Sequence, residues 1–139
     1  MIIVSKCLLG YNCKYNGKNN YSKKVIEYLK DKQYIAVCPE ELGGLPTPRI
    51  PSERKEDKVI NRIGEDKTIN FIQGANKALE IISPYTIDSA ILKAKSPTCG
   101  KGLIYDGSFG SRLIKGNGVF AEKLLEKNIT IENENSMFE

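Results

Sequence analysis

The order of apolar patterns in this 139-residue chain predicts an α/β fold, one Rossmann-like layer of mainly parallel sheet flanked by helices. Three observations carry that expectation. Short runs rich in β-branched residues alternate with stretches in which apolar residues recur every three or four positions. Each run stops at glycine, proline, asparagine or cysteine rather than continuing. An apolar content of 40% suffices for a core without disulfide staples, and no repeat, low-complexity tract or linker divides the chain, so 1–139 is read as a single domain.

The elements follow in order. Ile2-Ile3-Val4 reads as a buried first strand that breaks at Cys7 into a Gly- and Asn-rich loop from Gly10 to Asn20. Val25, Ile26, Tyr28 and Leu29 then have helical spacing behind Ser22, a residue whose hydroxyl can cap the first turn, and the pattern ends near Asp31. Tyr34 to Val37 gives a second strand, closed by Cys38-Pro39 because proline cannot donate to a ladder. Residues 39 to 66, with Gly43-Gly44, Pro46, Pro48, Pro51 and dense charge, are expected to form a long irregular loop at the active site. Asp66 or Thr68 can cap a helix through Ile69, Ile72, Ala75, Ala78, Leu79 and Ile82, which stops before Pro84. Ser89 to Lys93 is a third strand that empties into Ser96-Pro97-Thr98-Cys99-Gly100. Leu103 to Gly107 reads as a strand or hairpin arm, Val119 to Leu125 as a helix and Ile129 to Ile131 as a last strand, after which the polar tail is expected to fray.

Composition narrows the chemistry. The chain has four cysteines and no histidine, which excludes a Ser-His-Asp or Cys-His couple, a His-ligated zinc centre and an imidazole general base. Thiolates, carboxylates, hydroxyls and amines remain. The amino-terminal apolar run is too short for a signal peptide and nothing approaches the roughly 18 apolar residues of a membrane span, so a cytoplasmic protein with no membrane partner is expected. In a reducing compartment four cysteines are better read as metal ligands or reactive thiols than as two disulfides. Twenty-one basic against seventeen acidic residues give a net charge of +4, with the lysines scattered as on an ordinary solvated surface.

In open parallel sheets the ligand crevice lies beyond the carboxyl ends of the strands. Cys7, Cys38 and Cys99 each fall past the end of a different expected strand, and Cys13 lies in the loop after the first. Singly, each could be a small core hydrophobe; together they suggest a metal site. Structural four-thiolate zinc normally uses paired C-x-x-C knuckles, and Cys7 and Cys13 are six apart, whereas iron-sulfur clusters accept irregular spacing and can leave one iron open to substrate. Glu40, directly after Cys38-Pro39, is a candidate general base on water, against the ordinary alternative of a solvated loop acid. Ser96 could orient that water or the substrate, or simply serve its turn. Arg49 and Lys93 are candidates for binding an anionic or carbonyl group, though both could be framework charges, and Tyr105-Asp106-Gly107 reads mainly as turn chemistry.

Four segments then stand out together: V-S-K-C-L-L-G-Y-N-C-K-Y-N-G at 4–17, C-P-E-E-L-G-G-L-P-T-P-R-I-P-S-E at 38–53, L-K-A-K-S-P-T-C-G at 92–100 and Y-D-G-S-F-G at 105–110, joined by 64–75 and G-N-G-V at 116–119. In them the chain resembles the thiouracil desulfidases, small bacterial iron-sulfur proteins formerly filed as a domain of unknown function. The resemblance implies a [4Fe-4S] cluster held by three of Cys7, Cys13, Cys38 and Cys99, with a fourth iron free to take the sulfur of a thiocarbonyl. It implies a catalytic acid in the C-P-E segment, Glu40, and a catalytic serine in the S-P-T-C segment, Ser96. The implied reaction is non-redox desulfuration of a small thiolated pyrimidine, giving uracil and sulfide from thiouracil. Lys14, Asn16 and Asn117 depart from the family's usual arginine, aspartate and aspartate. Rival readings are thiolated uridine in tRNA as the substrate, a non-catalytic zinc module, and a thiol-disulfide oxidoreductase, which would want a C-x-x-C pair that is absent. Nothing in the residue pattern selects an oligomeric state.

Overall fold

The computed structural model describes residues 1–136, and the last three residues of the polar tail lie outside the described part. Four parallel strands form the central sheet: β1 (Ile2–Ser5), β2 (Tyr34–Val37), β5 (Ser89–Ile91) and β8 (Ile131–Glu132), in the order β2-β1-β5-β8. The chain leaves β1 toward β2 and later returns to build outward from the other side through β5 and β8. The direction of winding therefore reverses between β1 and β5, and at such a switch point a crevice opens at the strands' carboxyl ends.

Period-two alternation divides the core. Ile2, Val4 and Ile91 face the cluster that holds Val25 and Leu29 of helix α1 (Lys23–Leu29), while Ile3, Ala90 and Ile131 face the larger cluster. That larger side is filled by Phe71, Ala75, Ala78 and Ile82 of α3 (Thr68–Ile82) and by Phe120, Ala121 and Leu124 of α4 (Val119–Glu126). Caps follow local chemistry. The Ser22 hydroxyl accepts from Val25 N at 3.4 Å, as its position predicts, and Asp66 accepts from Thr68 N at 2.9 Å and from the Thr68 hydroxyl at 2.6 Å just outside α3.

The stretch 39–66 departs from the irregular loop expected of it. It contains the single-turn helix α2 (Pro39–Leu42) and the antiparallel hairpin β3 (Ser52–Lys55) and β4 (Lys58–Asn61). These elements are four residues each and mostly polar, with only Val59 and Asn61 buried in the hairpin, so no apolar period marks them in the sequence. A second small hairpin joins β6 (Leu103–Tyr105), the expected arm, to β7 (Leu113–Lys115). The tail is held through Ser136, whose hydroxyl donates to Glu132 at 2.7 Å and accepts from Asn133 N at 2.9 Å, rather than fraying directly after the last strand. Among the described residues no helix is long and apolar enough to cross a membrane.

Candidate active site

Two turns are seated against helices by contacts of backbone on backbone. A Cβ on Gly74 of α3 would lie 1.8 Å from the Pro39 carbonyl oxygen, and one on Gly43 would lie 2.1 Å from the Asn70 carbonyl oxygen; only glycines let α2 approach α3 this closely. Asn70 then donates to the Gly43 carbonyl at 2.9 Å. On the other side, the carbonyls of Pro97, Thr98 and Gly100 accept the first N–H groups of α4 and Gly118, from Val119, Phe120, Ala121 and Gly118 at 2.7–3.1 Å. A Cβ on Gly118 would lie 2.4 Å from the Thr98 carbonyl carbon. Helix α4 thus uses the 96–100 turn as its amino-terminal cap.

Between these turns, at the carboxyl ends of β1, β2 and β5, lies a cavity of about 460 Å³. All four cysteines line it, as do Glu40 and Ser96. Arg49, Lys93 and Tyr105 also reach it, so every side chain named from the sequence as a site candidate borders one space.

The thiols are not equivalent. Cys13 is hydrogen-bonded to both Cys7 and Cys38. As donor it holds the Cys7 thiol down from an ordinary 9.0 to about 7, helped by the Asn20 side chain and the charge of Lys93 against the opposing effect of burial. A separate bond with Cys13, with an N–H from the Glu41 backbone, lowers Cys38 against the opposing effect of burial, whereas Cys13 itself is pushed up by its bonds with Cys38 and Cys7. Burial pushes Cys99 well up; its side-chain partner is the Ser5 hydroxyl at the end of β1, which also accepts from Lys93 N at 2.9 Å. No disulfide links the four.

Glu40 is clamped at both carboxylate oxygens. Arg49 Nε donates to Oε1 at 3.1 Å and the Thr98 hydroxyl donates to Oε2 at 2.8 Å. The guanidinium is itself saturated on most sides, with Nη1 on the Pro46 carbonyl at 3.2 Å and the Thr47 hydroxyl at 2.9 Å, and Nη2 on the Cys13 carbonyl at 2.8 Å. Four donor contacts and a side chain only 7% exposed make Arg49 a brace between the Glu40 carboxylate and the Cys13 loop. Lys93 is likewise engaged, by Glu134 Oε2 at 2.9 Å and the Ala94 carbonyl at 3.1 Å. The Ser96 oxygen accepts from Thr98 N and Cys99 N, both at 3.0 Å, which occupies both lone pairs and leaves the hydroxyl as a donor.

Several partners escaped the sequence reading. Thr98 has no role of its own in that reading, Glu134 falls in the tail read as polar, and Glu53 lies in the stretch expected to be irregular. The Glu53 carboxylate accepts from Gly107 N at 3.0 Å and Phe109 N at 3.1 Å, which pins the 105–110 loop beside the cavity, where Arg62 sits over the Phe109 ring at 5.5 Å. The sequence does carry a signal for two of them: Thr98 stands between Ser96 and Cys99, and Glu53 closes the 38–53 segment that carries the resemblance.

The donor set fits an iron-sulfur cluster. Four soft thiols converge on one cavity, and the carboxylate that comes within 4.8 Å of the Cys13 and Cys38 sulfurs, Glu41, is exposed and accepts from the Thr47 hydroxyl at 2.8 Å.

Comparison with known proteins agrees with the geometry. A family model described as 2-thiouracil desulfurase matches residues 2–136. An uncharacterized protein of Bacillus subtilis (strain 168), YbbK, is 38% identical over 147 residues, covering 99% of this chain and 97% of its own. A solved structure of the [4Fe-4S]-dependent thiouracil desulfidase TudS superposes with a TM-score of 0.89 at 38% identity, over 96% of this chain and 90% of that one.

Proposed function

The chain belongs to the 2-thiouracil desulfurase family, and from that premise we propose that it replaces the sulfur of a thiouracil-type thiocarbonyl by oxygen, without net redox change, using a [4Fe-4S] cluster. The observation that carries this reading is the convergence of four thiols, the braced Glu40 carboxylate and the donor-only Ser96 hydroxyl on one cavity at the sheet's switch point. Such a cluster, when bound, would supply Lewis acidity toward the sulfur of a thiocarbonyl.

Cys7, Cys38 and Cys99 would hold it. They follow three different parallel strands on backbone fixed by the sheet and its turns, whereas Cys13 lies hydrogen-bonded between Cys7 and Cys38 rather than at a separate corner. Cys99 approaches from the β5 side, close enough for charge on Cys7 and Cys38 to act on it.

The residues of the chain divide the remaining work. Arg49 and the Thr98 hydroxyl each bond one oxygen of the Glu40 carboxylate and hold it in place, and each oxygen keeps a lone pair for a proton. A Glu40 oxygen takes a proton from water, the resulting hydroxide adds to the thiocarbonyl carbon, and hydrosulfide departs as the carbonyl forms. Oxygen enters, sulfur leaves, and no electrons are gained or lost. With both lone pairs occupied, Ser96 cannot act as base; its proton is donated to the water or to a heteroatom of the pyrimidine.

Anaerobic iron-sulfur reconstitution followed by incubation with 2-thiouracil tests the reading. Sulfide release is expected to fall by about 100-fold or more in Glu40→Gln and about 10-fold or more in Ser96→Ala at unchanged cluster content. Cys7→Ser, Cys38→Ser and Cys99→Ser are expected to lose iron and labile sulfide, and Cys13→Ser to keep both. Zinc bound without labile sulfide, or full activity in Glu40→Gln, would overturn it.

A further inference from the structure

We propose that Thr98 is a positioning residue for the reaction: its hydroxyl, by donating to Glu40 Oε2, fixes which carboxylate oxygen faces the reacting water. The inference rests on the reading of Glu40 as the base and deepens it. Thr98 is 1% exposed, so its hydroxyl has no access to bulk water, and its proton goes to Glu40 at 2.8 Å across 58 residues of chain. The threonine cannot drift. Its N–H is bound to the Ser96 oxygen at 3.0 Å and its carbonyl receives two N–H groups of α4, from Phe120 at 2.9 Å and Ala121 at 3.1 Å.

The consequence is geometric. Arg49 alone would hold Glu40 by one oxygen and leave the carboxylate free to rotate about its terminal torsion, which is broad and roughly two-fold for such groups. A second donor on the other oxygen removes that freedom. It also joins the two helix-seated turns through one bond, so the base on α2 and the Ser96 hydroxyl on the 96–100 turn keep a constant separation. Both groups that handle water are set by the same threonine: its N–H fills a lone pair of Ser96 while its hydroxyl fills one of Glu40.

Three substitutions and one double variant test this in the reconstituted protein, with rates expressed per bound cluster and 2-thiouracil as the probe. Thr98→Val keeps the shape and removes the donor, and kcat is expected to fall about 10- to 100-fold with KM within about two-fold of the parent. Thr98→Ser restores the hydroxyl and is expected to recover kcat to within about three-fold. In a Glu40→Gln background the added Thr98→Val change is expected to cost less than about two-fold, because the group it acts through is already gone. Thr98→Ala, which cannot overfill the site, stands in if the valine variant fails to fold. In cluster-free protein the carboxylate carbon-13 resonance of Glu40, identified by its loss in Glu40→Gln, is expected to shift in Thr98→Val and to stay in Thr98→Ser. Equal loss in the valine and serine variants, or an unmoved resonance, overturns the inference. If Glu40→Gln is inactive while Thr98→Val turns over normally, only the role of Thr98 falls; if Glu40→Gln is active, the base assignment falls with it.

Discussion

The turn at 96–100 and helix α2 are seated on the molecule by backbone against backbone, whereas the loop that carries Cys13 is tied on chiefly by one arginine. At the first two sites glycines remove the Cβ that would separate the chains, with Gly74 under Pro39 and Gly118 under Thr98. At the third, Arg49 donates from its side chain to the Cys13 carbonyl and from its main chain to the Tyr15 carbonyl at 2.7 Å, while Asn20 N bonds the Cys7 carbonyl at 3.0 Å. The difference separates two kinds of preorganisation. The glycine-seated walls carry Cys38, Glu40, Ser96 and Cys99 and cannot be altered without altering the core, while the tethered loop can be loosened with the core intact.

The largest effect is expected where a wall is lifted. Gly74→Ala forces a Cβ into the Pro39 carbonyl, backbone against backbone with no flexible side chain to yield, and is expected to cost on the order of 3 kcal/mol in denaturant unfolding and to abolish activity. A variant of parental stability would show that α2 can ride away from α3 and that the wall is no more fixed than the loop.

Cutting the tether comes next. Arg49→Met removes the donors to Glu40, Pro46, Thr47 and Cys13 together, and is expected to lower kcat about 100-fold while costing about 2 kcal/mol of stability, because the remaining acceptors lose their partner. Arg49→Lys is expected to recover little, since an ammonium cannot span four acceptors in a plane. The telling quantity is the ratio: Gly74→Ala should hurt stability more than Arg49→Met, and the reverse order would erase the distinction drawn between the regions.

The smallest effect concerns the sulfur that the tethered loop serves. In cluster-free protein Cys7, held down to about 7 by its bond from Cys13, is expected to be alkylated by iodoacetamide with a midpoint near that value, faster as pH rises, while buried Cys99 stays unreactive at neutral pH. Lys93→Met removes a cation that favours the Cys7 thiolate, so its midpoint moves to higher pH and the rate at pH 7 falls about two-fold. Mass spectrometry of the modified sites across pH 6 to 9 reads both expectations; uniform alkylation of all four thiols would contradict the inequivalence.

The parts of the fold legible in the sequence are those that bury apolar surface with a period. Ile2 to Val4, Tyr34 to Val37 and Ser89 onward are strands, and the spacing of Ile69, Ile72, Ala75, Ala78, Leu79 and Ile82 locates α3, although its buried stripe runs through Phe71, Ala75, Ala78 and Ile82 and leaves Ile69 and Ile72 exposed. What was illegible is short and polar. Helix α2 is a single turn seated on α3 by glycine contacts remote in sequence, and the hairpin β3–β4 is mostly polar, so no apolar window marks either. The site shows the same split. Cysteines beyond strand ends and a glutamate after Cys38-Pro39 could be read directly, but Arg49 and Lys93, candidates either for binding an anionic or carbonyl group or for framework charges, are engaged by Glu40, Pro46, Thr47 and Cys13 and by Glu134 and the Ala94 carbonyl, and we read Arg49 as a brace for the base.

By itself the sequence determined the inventory of reacting groups: without imidazole, only thiols, carboxylates, hydroxyls and amines could act, and three of the thiols fall past the ends of different expected strands. Tertiary structure alone decided what each group can do. A glutamate is held at both oxygens, by Arg49 and, from 58 residues away, by Thr98, and one thiol is lowered by another while a third is pushed up by burial, and that accounting exists only once the chain has closed.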